Sequence, residues 1–115
     1  MSQYMILIYE DEAAWAQAGR KELDQAIKDH TAFGRRHAAV VCDAAALEPT
    51  ASATSIRRNP ANRIIITTGP FAVSGQALGG YYLIEVDGRA EAVEVAKQVP
   101  APFGGVEVRP VRAFD

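Results

Sequence analysis

An α+β domain, with an antiparallel sheet carrying two main helices on one face, is the fold class this sequence predicts, and three observations carry it. Strand-like and helix-like stretches follow one another in the order strand, helix, strands, strand, helix, strand. Each helical stretch is amphipathic, with one face to bury. Several of the strand-like stretches are apolar on both faces, so both sides of the sheet need cover.

Tyr4 to Tyr9 is an unbroken β-branched, aromatic and aliphatic run and predicts a first strand. Glu10-Asp11-Glu12 then puts negative charge where a helix begins, and Ala13 to Ala16 continues it until Gly19 breaks the turn. From Arg20 to Arg36 the helical period places Leu23, Ala26, Ile27, His30 and Gly34 on one stripe, with Phe33 at its edge and charged residues opposite. Ala38 to Leu47 reads as a strand because of Val40-Val41-Cys42, and Pro49 ends it.

Ser52 to Arg57 and Arg63 to Thr67 predict a hairpin turning through Arg58-Asn59-Pro60-Ala61-Asn62. Gly69-Pro70 and Ser74-Gly75 interrupt the pattern and leave a loop from Thr68 to Ala77, a length that often carries function. Leu78 to Val86 resumes as a strand, with Gly79-Gly80 predicting a bulge or a close backbone approach. After Asp87-Gly88, Ala92, Val95, Ala96 and Val99 keep helical spacing until Pro100 and Pro102. Val106, Val108 and Val111 give the last strand.

This order suits a ferredoxin-like split βαβ arrangement with an added hairpin; a small doubly wound sheet is the alternative. With both helices on one face, the other face of two-sided apolar strands stays open, and a twofold partner is the simplest cover. A homodimer through the sheet face is therefore expected. At 115 residues the chain has the length of a single domain, 1–115.

Composition excludes several classes. Hydrophobic residues at 49% and charged residues at 23% place the chain among those that fold, not those that stay disordered. A net charge of −2 with scattered basic residues offers no footprint for a phosphate backbone, so no nucleic-acid partner is expected. The lone Cys42 can form no internal disulfide and has no CxxC companion; a buried, inert thiol is expected. No apolar stretch approaches a membrane span and the N-terminal run lacks a basic leader, so the expected location is cytoplasmic, away from membranes. No cofactor is called for, and Glu10-Asp11-Glu12 with His30 has no metal-ligand spacing.

Three segments are specific in combination: the first strand running into an acidic residue, His30-Thr31-Ala32-Phe33 on the first long helix, and Thr67-Thr68-Gly69-Pro70-Phe71-Ala72 before Leu78-Gly79-Gly80-Tyr81-Tyr82-Leu83-Ile84. With Leu47-Glu48-Pro49 and Val106-Glu107-Val108-Arg109-Pro110, they make the whole chain resemble the DGPF family of YCII-related proteins. That resemblance implies a ferredoxin-like fold of the dimeric α/β-barrel type. It also implies an acid/base pair of a histidine, here His30, and an aspartate. Where the family carries Asp-Gly-Pro-Phe this chain has Thr68-Gly69-Pro70-Phe71, and a neutral hydroxyl cannot stabilise an imidazolium by charge.

Two functions follow as expectations. One is a small-molecule-binding or regulatory module with a degenerate acid/base site, a small polar ligand meeting Thr68, Gly69, Pro70, Phe71, Ser74, Gln76 and Tyr82. The other is a lyase or isomerase acting on a small unsaturated acid, with His30 as general base. Set against both, a histidine on an apolar helix stripe is commonly a core residue with one satisfied hydrogen bond, Gly69-Pro70 is first of all a turn, and His37 sits at a helix end. Phe71 is expected to tuck inward as the loop's anchor. Glu10, Asp11 and Glu12 precede His30 by 18 to 20 residues, close to 30 Å if the helix were continuous at ~1.5 Å per residue. Only a sharp break near Gly19 brings them together, so His30 is expected to meet a hydroxyl, a carbonyl or water.

Overall fold

The computed structural model describes residues 1–114. Strand β1 (Ser2–Glu10) leads into a short helix α1 (Glu12–Gln17) and a long helix α2 (Arg20–Arg36), followed by β2 (Val41–Ala46). A single 3-10 turn (Thr50–Ser52) precedes a hairpin of β3 (Thr54–Arg58) and β4 (Ile64–Thr68). Then come β5 (Ala77–Val86), α3 (Arg89–Ala96) and β6 (Gly104–Pro110).

Four strands form an antiparallel sheet in the order β2-β5-β1-β6, and β3 and β4 pair only with each other. With the hairpin set aside, the element sequence is βαββαβ, so the architecture is α+β and compatible with a ferredoxin-like fold. Side chains alternate across the sheet. Tyr4, Ile6 and Ile8 of β1 and Tyr82, Ile84 and Val86 of β5 turn to one face, where they meet Phe33 of α2 and Ala92, Val95 and Ala96 of α3. Ile6, Ile84 and Val86 are fully buried; each contributes about 1.5–3 kcal/mol by leaving water. The register puts Met5, Leu7, Tyr81 and Leu83 on the other face, together with Glu107 and Arg109 of β6. That face carries no helix.

The turn from β1 into α2 is fixed by hydrogen bonds and aromatic packing. Asp11 caps α1 by accepting from the amides of Ala13 and Ala14 at 2.9 and 3.3 Å. Ala18 and Gly19 are extended, which ends α1, and the Glu22 carboxylate accepts the Gly19 amide at 2.9 Å to start α2. Trp15 stands edge-on to Phe103, ring centres 4.8 Å apart, and ties α1 to the segment before β6.

Four expectations require correction. Cys42 is exposed on the edge strand β2, at a register shift between Val41 and Asp43 where it has no partner residue on β5. The α2 stripe is only partly buried, because α2 packs through Phe33 and leaves Leu23 and Ile27 47% and 57% exposed. The isoleucines of β4 are uncovered, since the hairpin stands away from the sheet. Phe71 is 61% exposed and lies beneath the Arg57 guanidinium, 3.7 Å from the ring centre, instead of tucking inward. The projecting hairpin also raises the radius of gyration to 16.2 Å, against about 13 Å for a compact chain of this length.

Candidate functional site

The break at Ala18-Gly19 swings α2 back across the sheet and leaves a cleft of about 1160 Å³ between α2, α1, the 3-10 turn and the ends of β1, β2 and β5. Its walls are mainly apolar: Ile8, Trp15, Leu23, Ile27, Ala44 and Pro49 line it. Gly80 lies on the same sheet face as Tyr82 and its lack of a side chain keeps the floor open. A Cβ there would stand 2.7 Å from the Ala45 carbonyl oxygen, so close pairing of β5 with β2 requires glycine as well. Gly79 is the extra residue of a bulge, since Ile8 faces Gly80 and Tyr9 faces Leu78.

Two polar side chains of the cleft, His30 and Tyr82, form a pair. His30 Nδ1 lies 2.7 Å from the Tyr82 hydroxyl, and the two rings are nearly parallel, 17° apart. Phe33 supports Tyr82 from behind at 4.7 Å between ring centres. Loss of water around the half-buried ring pushes the His30 pKa below its ordinary value; the charges of Glu10 and Asp29 and the Pro100 carbonyl oppose that shift without reversing it. The neutral ring is therefore favoured, with Nδ1 accepting from Tyr82 O–H when the proton resides on Nε2. Burial likewise raises the Tyr82 pKa, so the phenol stays protonated.

Both early glutamates line the same cleft. Glu10 accepts the Phe103 amide at 3.0 Å, and its charge reaches His30 through space. Glu12 accepts the Thr50 amide at 2.8 Å and the Thr50 hydroxyl, which holds its carboxyl below the ordinary range. Glu10 acts on His30 through space and Glu12 shares its cleft because the chain does break at Ala18-Gly19, the one condition under which the sequence spacing allowed it. The Tyr82 hydroxyl is the hydrogen-bond partner of His30, and Thr68, where the resemblance placed an aspartate, lies outside the cleft.

Of the remaining residues singled out from sequence, Tyr81 also lines the cleft and the others lie elsewhere. Thr68 ends β4, Gly69 turns with a φ of 110°, and Pro70, Phe71, Ser74 and Gln76 follow in the loop back to β5; none of the six lines the cleft. Ser55 Oγ donates to the Gly69 carbonyl at 2.7 Å, so this segment closes the root of the hairpin. Tyr81 faces away from Tyr82 and donates to Asp43 at 3.0 Å. His37 meets Gln98 at 3.0 Å at the end of α2. Among the described residues, no group of three or more His, Cys, Asp or Glu side chains is arranged to hold a metal ion.

Residues 2–115 match the model of the YCII-related domain. The chain belongs to the YCII-related family. A family relative from Rhizobium meliloti (strain 1021), described as an uncharacterized protein, is 30% identical over 116 residues, covering 96% of this chain and 93% of its own length. Family membership thus agrees with the resemblance read from the strand, helix and Gly-Pro-Phe segments, and assigns no reaction to the cleft.

Proposed function

We propose that this YCII-related chain is a cytoplasmic, homodimeric small-molecule-binding or regulatory module, folded as a single domain, whose ligand enters the α2 cleft and presents a polar group to His30 and Tyr82. The observation that carries the reading is the His30–Tyr82 hydrogen bond, 2.7 Å long, set in a cleft whose walls are mainly apolar and whose other charged groups are Glu10, Glu12, Glu48 and Arg20. A concave apolar site with a few convergent polar groups is the usual form of a ligand pocket. The walls suit an apolar body, and a neutral imidazole beside a phenol suits an uncharged hydroxyl, carbonyl or amide. Dimerisation through the helix-free face, bearing Met5, Leu7, Tyr81 and Leu83, would cover the apolar side of the sheet. No described helix is long and apolar enough to cross a membrane.

The alternative is a lyase or isomerase in which His30 takes a proton from a small unsaturated acid. The through-space charge of Glu10 on His30 favours it, because a carboxylate near the ring stabilises the imidazolium that a base becomes. Against it, Glu10, Glu12 and Glu48 all line the cleft and Arg20 is its one cationic side chain among the described residues, so a substrate carboxylate meets net negative charge.

A library of small neutral and anionic fragments, titrated into ¹⁵N-labelled protein, tests the choice. The binding reading expects neutral fragments to shift amides lining the cleft, and Tyr82→Phe or His30→Asn to weaken them about tenfold, the loss of one hydrogen bond. Anionic fragments that bind preferentially and are turned over by the wild type but not by His30→Asn would reverse the order of the two readings.

A further inference from the structure

The hairpin of β3 and β4 has one face built for contact. Ile56 pairs with Ile66 and Arg58 with Ile64, so three isoleucines and one arginine share a face, while Arg57 and Ile65 take the other. On the first face the isoleucines are 61%, 66% and 56% exposed. The other face is closed in part by Arg57, which lies over Phe71. An isolated two-stranded ribbon is marginal in water and a row of exposed isoleucines on it is a cost with no return inside one chain. Charge is partitioned as sharply: between Glu48 and Glu85 lie three of the twelve basic residues, Arg57, Arg58 and Arg63, and none of the fourteen acidic ones. The arm segment is therefore +3 and the remainder of the chain −5, their sum being the net −2.

We infer that the β3–β4 arm clasps the body of a second copy of this chain, its Ile56, Ile64 and Ile66 face lying on that copy's surface and its arginines on that copy's acidic charge. Arm against arm is disfavoured, because Arg58 shares the apolar face and pairing two such faces places like charges together. The body of a second copy supplies both what the arm lacks, negative charge and a surface wide enough to shield three isoleucines. Five-residue strands span roughly 17 Å and two of them roughly 10 Å across, too little for the ~800 Å² per partner of a stable interface. The clasp therefore adds to the sheet-face dimer proposed above and rests on it. Rooted between the 3-10 turn and β5, both of which line the cleft, the arm would also couple dimerisation to the cleft mouth.

Protein carrying ¹³C-labelled isoleucine, leucine and valine methyls, mixed with an equal amount of unlabelled protein, reads this contact through isotope-filtered NOEs. The expected result is intermolecular NOEs from Ile56, Ile64 and Ile66 to body residues. A dimer whose only intermolecular NOEs arise from Leu7 and Leu83 would overturn the clasp and leave the sheet-face dimer standing; NOEs between arms would overturn the body docking; a monomer would remove both. Replacing all three isoleucines by aspartate should leave the far-UV circular dichroism unchanged, as the substituted face is open in the single chain, and weaken self-association at least tenfold in sedimentation. Unchanged self-association would overturn the clasp independently of the NMR result. Arg58→Glu should weaken association and Arg58→Lys should not, while equal association of the two would count against the charge pairing.

Discussion

The four-stranded sheet and the two-stranded arm are written in nearly the same residues and end in opposite environments. Ile6-Leu7-Ile8 of β1 and Ile64-Ile65-Ile66 of β4 are both strand-forming triplets apolar on each face. In β1, Ile6 is fully buried and Ile8 nearly so, whereas the three residues of β4 are 44–66% exposed. Two-sided hydrophobicity therefore states that a strand must be covered and leaves open by what. In β1 one cover is internal, from α2 and α3; in β4 the face of Ile64 and Ile66 has none.

Core truncation should separate the two regions most widely. Ile84→Ala removes a fully buried side chain and should cost about 2–5 kcal/mol in urea unfolding. Ile64→Ala, made in a chain kept dilute enough to stay monomeric, should fall within about 0.5 kcal/mol of wild type. A comparable loss at both sites would mean that the arm packs on its own body after all.

Glycine substitutions sharpen the contrast within the sheet itself. Gly80→Ala drives a Cβ to 2.7 Å from the Ala45 carbonyl, backbone that cannot step aside, and should cost about 1–3 kcal/mol as an overpacked site does. Gly79→Ala, with nothing within 4 Å of its Cβ, should cost under about 1 kcal/mol, a strand substitution without a clash. Both glycines line the cleft, but only a Cβ at Gly80 clashes with backbone, so Gly80→Ala should weaken fragment binding more than Gly79→Ala does. Equal effects of the two variants on melting temperature would show that the bulge yields.

Much of this contrast is legible from sequence, and its limits have physical causes. Strand and helix identities follow from period and from Gly and Pro punctuation, which act locally; α2 begins at Arg20 and ends at Arg36 as the charged and apolar pattern indicates. The hairpin, the bulge at Gly79 and the opposite facing of Tyr81 and Tyr82 are equally local. What escapes is long-range. Cys42 and Phe71 look buried by residue type but sit on an edge strand and at the arm's root, where there is nothing to bury them against. Its helix stripe and motif single out His30, yet its partner depends on which strand crosses beneath α2, and only the sheet order puts Tyr82 there. Glu10 and Glu12 were too far away along a continuous helix; two extended residues, Ala18 and Gly19, bring them to the same cleft.

Acidification offers a test confined to the body. The His30 pKa is lowered on folding, chiefly by loss of water and against the pull of Glu10, Asp29 and the Pro100 carbonyl, so the unfolded chain binds a proton near pH 6.5 before the folded chain does. Its neutral form is accommodated without penalty above that pH, and stability falls as pH drops from 6.5 toward the lower folded value. His30→Asn should flatten the pH dependence of the urea midpoint in this window, and a slope of the same size in the variant would assign the loss to other groups. Tyr82→Phe should cost about 0.5–1.5 kcal/mol at neutral pH, the worth of one hydrogen bond.

The smallest effect belongs to the junction between the two regions, where Glu12 of α1 holds Thr50 at the start of the arm's root. Hydrogen bonds from the Thr50 hydroxyl and amide lower the Glu12 pKa below 4.5, so this contact contributes fully above that pH and is lost as pH falls through the folded value. At neutral pH, Glu12→Gln removes the charge but retains an acceptor, and should leave the unfolding midpoint near that of the wild type. Its consequence should be local. Amide exchange at Thr50 should quicken in Glu12→Gln, while exchange at Ile6 and Ile84 in the core stays at the wild-type rate, because local opening at a surface tether does not require the sheet to open. If the core amides quicken together with Thr50, the tether is part of the sheet's cooperative unit, and the arm's root is less separate from the body than its exposure indicates.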